Sequence, residues 1–136
     1  EMLAVILAIL LLLFDNTDDL TVVVSGCKSQ KGQLFIALYD DKDIFPIFGK
    51  QLIGEIVPLS KTPRHEFTFK DLAHKTYAIA VFHDLNSNGK LDKNAIGLPL
   101  EPYGFSNNAR NPFSAPSFSQ ASFVHGDEQS ISISVK

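Results

Sequence analysis

From Asp15 onward the apolar residues recur with a period of two, not 3.6. Ile131-Ser132-Ile133-Ser134-Val135 is the cleanest case, apolar and hydroxyl residues in strict alternation, as in a strand with one wet face. Leu20–Ser25 and Gln33–Tyr39 are β-branched or aromatic runs with Gly26 and Lys31-Gly32 between them, a pattern that predicts a hairpin. Leu52–Leu59, Arg64–Lys70 and Thr76–His83 come next. The last of these is apolar enough to be a central strand covered on both faces. Phe118–His125 and Gln129–Val135 flank the turn residues His125-Gly126-Asp127-Glu128. The expected fold is all-β, an antiparallel β-sandwich of about seven strands, because each sheet has one apolar face to bury. No amphipathic helix and no internal repeat interrupts it.

Two stretches break the alternation. Asp40–Gln51 carries Ile44, Phe45, Ile47 and Phe48 around Pro46 and predicts a loop tucked against the sandwich edge. Asp84–Ser117 has turn chemistry nearly throughout, and a loop of that length in a small domain is usually functional or disordered.

The N-terminus fits neither pattern. Met2 to Phe14 is an unbroken apolar run of thirteen residues. As a helix it covers about 20 Å, short of the roughly 30 Å hydrocarbon core but matched to the apolar region of a secretory signal. No Lys or Arg precedes it and no small-residue cleavage site comes after it, so an uncleaved membrane anchor over residues 2–14 and a buried core helix stay open beside the signal. The division expected is residues 1–19 as signal peptide or N-terminal membrane anchor and residues 20–136 as the β-sandwich domain. Either a signal or an anchor sends the domain out of the cytoplasm, to the periplasm, cell envelope or medium.

The 136 residues fit one ordinary domain, and the net charge of -3 leaves no basic footprint for nucleic acid. Cys27 is the single cysteine, so no internal disulfide forms; its place in a strand-like run points to a core or strand-end residue, with a reactive thiol or an intermolecular bridge as the alternatives.

The candidate chemistry lies at the start of the long loop. Asp84, Asn86 and Asn88 are spaced by two, Gly89 comes next, Lys90 offers a backbone carbonyl at the seventh place, and Asp92 stands at the ninth. Calcium loops need hard oxygen ligands from alternate positions and a glycine at the sharp turn. Ala95 occupies the twelfth place, where a bidentate glutamate normally sits, and Glu101 supplies that carboxylate if residues 94–99 fold back. With so few carboxylates the affinity expected is that of weak extracellular modules, about 10⁻⁴ to 10⁻³ M. The competing reading is an Asx-rich turn whose side chains cap their own backbone.

Three segments together resemble a known family. They are Tyr77-Ala78-Ile79-Ala80-Val81-Phe82-His83-Asp84, then Asn86-Ser87-Asn88-Gly89-Lys90-Leu91-Asp92, then Gly97-Leu98-Pro99 with Glu101-Pro102-Tyr103-Gly104-Phe105-Ser106-Asn107. With Lys31-Gly32-Gln33-Leu34-Phe35-Ile36-Ala37-Leu38-Tyr39-Asp40, they are similar to the bacterial domain-of-unknown-function family 2141, over roughly Leu20 to Lys136. The resemblance implies an exported protein with an immunoglobulin-like or prealbumin-like (transthyretin) sandwich, and it implies no activity. Family members commonly carry Pro-x-Gly-x-Tyr before the central strand. Here that turn reads Leu72-Ala73-His74-Lys75-Thr76-Tyr77.

The alternative class is a small envelope hydrolase built on His83, Asp84, Glu101 and Ser106. Against it, Gly104-Phe105-Ser106-Asn107-Asn108 lacks the last glycine of a nucleophile elbow. Adjacent strand residues also face opposite ways, so His83 and Asp84 cannot readily orient one another. His65, His74 and His125 have no zinc-site spacing. Tyr103, Phe105, Phe113, Phe118 and Phe123 either pin the long loop to the sandwich or form a platform for a glycan or peptide, and the lack of Trp disfavours sugar stacking. The expectation is therefore a non-enzymatic, calcium-stabilised module that binds or supports an envelope protein or a glycan.

Overall fold

A computed structural model describes residues 2–3, 16–59, 61–93 and 99–136. Of the N-terminal apolar run only Met2 and Leu3 are among these, so the expected signal or anchor over 2–14 lies outside the described residues. Among the described residues, no helix is long and apolar enough to cross a membrane.

Among the described residues eight strands form, in the order β1 (Thr17–Ser25), β2 (Gln33–Tyr39), β3 (Ile53–Pro58), β4 (His65–Ala73), β5 (Thr76–Asp84), β6 (Tyr103–Phe105), β7 (Phe123–Val124) and β8 (Ser130–Ser134). A four-residue helix, α1 (Phe118–Ala121), precedes β7. One sheet has the order β4-β1-β8 and the other β3-β2-β5-β6, with β7 pairing the start of β5. The alternation read from the sequence explains the layering. Leu20, Val22 and Val24 of β1 and Ile133 of β8 meet Leu34, Ile36 and Leu38 of β2 and Tyr77, Ile79 and Val81 of β5 in one core between the sheets. Each such aliphatic side chain contributes about 1.5–3 kcal/mol on full burial.

The intervening residues of β5 face the other way and are also covered. Ala37, Tyr39, Ala78 and Phe105 form a second apolar layer with Phe45 and Ala121. Phe45 comes from the Asp40–Gln51 loop, and its ring lies edge-on to Tyr39, Phe105 and Phe118. The loop expected at the sandwich edge thus lies over a sheet face, where small side chains at positions 37, 78 and 80 leave room for rings. The expectation that β5 is covered on both faces is met by two different partners: the opposite sheet and these loops.

Four expectations are corrected. β1 and β2 do not form a hairpin: they belong to different sheets, and the connection through Gly26 and Gly32 carries the chain from one sheet to the other. Gly26 has φ 89° and lies against the Val135 carbonyl, where a Cβ would approach to 2.5 Å. β8 runs parallel to β1, so that sheet is not purely antiparallel. A strand that arrives by a long connection is free of the antiparallel direction a tight hairpin imposes. Phe118–His125 is not one strand, because Ser117 and Gln120 form a reciprocal capping box that starts α1, leaving only Phe123–Val124 extended. The stretch Asp84–Ser117 is not without structure: β6 pairs with β5 through Ala80–Phe105, Val81–Gly104 and Phe82–Tyr103. Tyr103 also exchanges two 3.1 Å backbone hydrogen bonds with Lys136, which ties β6 to the end of the other sheet.

Candidate functional site

Asp84 ends β5, and its side chain, 1% exposed, organises the turn beyond the strand. Its Oδ2 accepts the Gly89 N–H at 2.8 Å and the Gln33 amide at 3.1 Å, while Oδ1 accepts the Asn88 N–H at 3.2 Å. Ser87 and Gly89 take positive φ, 54° and 74°, which reverses the chain over this carboxylate. Asn86 and Asn88 then converge on Asp92. The Asn86 amide donates to Asp92 Oδ2 at 2.9 Å, and the Asn88 amide spans both Asp92 oxygens at 3.0 and 3.1 Å. Each asparagine's own oxygen accepts a backbone N–H two residues on, Asn88 at 3.2 Å and Lys90 at 2.9 Å.

Glu101 closes the arrangement from below. It is 5% exposed, and its two oxygens accept the backbone N–H groups of Leu85 at 2.7 Å and Asp92 at 3.0 Å. Lys93 and Pro99 form an isolated antiparallel bridge that returns the chain to this point. Burial pushes the Glu101 carboxyl above the usual carboxylate range. Its two backbone hydrogen bonds oppose that shift, and the charges of Asp92 and Asp84 reinforce it. The amide donors of Asn88 and Asn86 hold Asp92 below its ordinary value.

The residues singled out for a metal are thus brought together, Glu101 included. Their present partners are N–H groups, however. Among the described residues, no three His, Cys, Asp or Glu side chains are placed to hold a metal by themselves. A cation here would draw on the amide oxygens of Asn86 and Asn88. For those to face Asp92, each side chain must turn about its terminal bond and give up its hydrogen bond to the backbone.

Of the residues of the alternative chemistry, Asp84 and Glu101 share the turn, but Ser106 is held away from them and from His83. Ser106 is 1% exposed and its hydroxyl accepts the Ile79 N–H at 2.9 Å and donates to the Ala121 carbonyl. His83 lies four residues further along β5, about 13 Å at the rise of a strand. Its Nε2 meets the Lys31 carbonyl at 2.6 Å, and its buried Nδ1 has no hydrogen-bond partner among the described residues. Asn107 and Asn108 take positive φ, the Asn107 amide bonds the Gln120 and Ser122 carbonyls, and Asn108 accepts the Ser134 N–H. Gly104 presses against the Ser134 carbonyl, where a Cβ would stand at 2.4 Å. The Gly-Phe-Ser-Asn-Asn stretch that resembles an elbow is spent on joining β5, β8 and α1. His65 is pushed down by burial and by the charge of His83. Cys27 packs against the inner core, and burial pushes its thiol up.

Sequence reasoning missed an apolar cavity of about 250 Å³ on the outer face of the β3-β2-β5-β6 sheet. Ile56, Phe35, Phe82 and Tyr103 are directly opposite one another across these four strands. The cavity is bounded by Phe48 of the 40–51 loop, by Leu91 and Lys93 after the acidic turn, and by residues 111–115. The signal was present as Phe35, Phe82 and Tyr103 in outward strand positions, but each became meaningful only once the register aligned them.

No curated protein and no solved structure matches the chain. A family model described as an uncharacterized protein conserved in bacteria, DUF2141, matches residues 22–133, which span β1 to β8 and the whole acidic loop. The chain belongs to that bacterial family.

Proposed function

We propose that this protein is an exported module of the cell envelope with an immunoglobulin-like or transthyretin-like arrangement of its two sheets. In this reading the loop from Asp84 to Glu101 is stabilised by calcium, and the domain binds or supports a partner, an envelope protein or a glycan, without catalysis. The observation that carries the calcium reading is the convergence of Asn86 and Asn88 on the Asp92 carboxylate, above a turn held by Asp84. Side chains at the third, fifth and ninth places of the loop meet, and the first holds the N–H groups of Asn88 and Gly89 beside them, the alternate spacing on which a hard-cation loop draws. The side chains of Asp84, Asn86, Asn88 and Asp92 and the carbonyl of Lys90 would hold the ion, with Glu101 bracing the loop at Leu85 and Asp92 or completing the coordination. The apolar run at 2–14 supports export, through a signal or through membrane attachment.

Turning both asparagines costs two backbone hydrogen bonds, so the affinity expected is weak, with a Kd of about 1 mM. At ten times that concentration the stabilisation is about 1.4 kcal/mol, or about 5 °C in Tm for a domain of this size. Thermal unfolding of the full chain in 10 mM calcium, with magnesium as the control, tests this. The expected rise should vanish in Asp92→Asn. No calcium-specific rise in the parent protein overturns the reading.

A further inference from the structure

We propose that the outer-face cavity binds a small aromatic molecule carrying one carboxylate, which rests on the reading of this domain as a binding module. The cavity, about 250 Å³, exceeds the roughly 150 Å³ of an apolar cavity known to hold benzene, and falls short of a drug-sized site. It therefore fits one ring with a short substituent.

The walls select a ring. Phe35 and Phe82 stack with centroids 5.2 Å apart and planes 26° from parallel, and Phe48 sets its ring against both at 5.2 and 5.7 Å. Aromatic faces and edges are thus offered together, the arrangement in which a further ring gains offset-stacked and edge-to-face contacts. Phe48 is 43% exposed, so a ligand that covers it removes apolar surface from water.

The polar groups select the charge. Lys93 is the one charged residue among the described residues lining the cavity. It forms no ion pair among the described residues, whereas Lys70 and Lys75 face Asp19 and Asp40. The bridge to Pro99, another lining residue, fixes the Lys93 backbone beside the cavity. Asn111, which also lines the cavity, is engaged with Gln120 and the Ala115 carbonyl, and the Tyr39 hydroxyl donates to the Ile47 carbonyl. An anion entering ring-first therefore meets an ammonium group that has no competing carboxylate among the described residues.

Titration of the ¹⁵N-labelled full chain with phenylacetate, 2-phenylethanol and hexanoate, monitored by amide chemical shifts, tests this. Phenylacetate should saturate with a Kd of about 1–5 mM, as its ten or so heavy atoms allow. Its shifts should centre on Phe82, Lys93 and Tyr103, and it should bind about threefold tighter than hexanoate. Lys93→Met should weaken phenylacetate about threefold to fivefold and leave 2-phenylethanol unchanged. Phe48→Ser, a change at a half-exposed loop residue, should weaken both aromatic compounds. Absence of saturation by phenylacetate at 20 mM, hexanoate binding as tightly as phenylacetate, or equal effects of Lys93→Met on the charged and neutral compounds overturns the proposal. Running the calcium thermal series on the same samples separates the two readings. Calcium stabilisation without phenylacetate saturation removes the cavity proposal alone, and the reverse removes the calcium loop alone.

Discussion

Glu101 and Leu85 are sixteen residues apart in the chain and are joined by a 2.7 Å hydrogen bond from the Leu85 N–H to Glu101 Oε2. The other carboxylate oxygen accepts the Asp92 N–H, so a single buried side chain satisfies two loop amides that lie outside the strand ladders. The geometry explains how an acidic turn stays folded at the end of a β-strand. Asp84 serves the near side of the turn, Glu101 the far side, and the asparagines fill the space between.

Removing the Glu101 carboxylate leaves two backbone donors without their acceptor. Glu101→Ala should destabilise the domain by about 2 kcal/mol, and Glu101→Gln by a similar amount, because its amide nitrogen would confront one of the same N–H groups. Urea unfolding at pH 7 measures both.

The pH dependence is set by the directions of the two shifts. Glu101 is raised in the folded state, so the native protein holds that proton more tightly than the unfolded chain. Its contribution to stability is greatest below its unfolded value, 4.5, and declines as pH rises from there through the folded value. Asp92 is lowered, so its contribution is present above 3.8 and is lost as pH falls through the folded value. The stability difference between the parent and Glu101→Gln should therefore shrink as pH rises from 4 to 7 in a urea series. A difference that grows over this range contradicts the assignment.

Two glycines near the loop should respond very differently. At Gly32, with φ 80°, an added Cβ would lie 2.0 Å from the Asp84 carbonyl and 2.8 Å from Leu85 Cα, all backbone that cannot step aside. Gly32→Ala should cost more than about 3 kcal/mol or prevent folding. Gly89, with φ 74°, has open space where its Cβ would stand, so Gly89→Ala should cost only about 1–2 kcal/mol, the penalty of the left-handed backbone. Circular dichroism melts of the two variants compare them directly.

Phe45 is 8% exposed and touches three aromatic rings in the second apolar layer. Phe45→Ala should cost about 3–4 kcal/mol, as for a ring removed from a core. A loss under 1 kcal/mol would show that this loop rests on the sheet without supporting it.

The strand residues are legible in the sequence because alternation is a local property. Gln33–Tyr39 has the same bounds in the pattern and in the structure, and Thr76–His83 is one residue short of β5. The metal-like spacing is also legible, since Asp84, Asn86, Asn88 and Asp92 lie within one turn-forming segment. Helix α1 is marked by Ser117 and Gln120, a local capping signal that the surrounding aromatic residues mask.

By itself the sequence determined the β class, the positions of the main strands, the period of two along them and the place of the acidic turn. All of these depend on periods of two or on contacts within a few residues. Only the tertiary structure decided that β1 and β2 belong to different sheets and that β8 lies parallel to β1. It also decided that Glu101 returns to Leu85, and that Ile56, Phe35, Phe82 and Tyr103 line up across four strands. The reason is physical. Side-chain alternation states which way a residue points, but strand partner, direction and register are set by burial and hydrogen bonding among segments far apart in the chain.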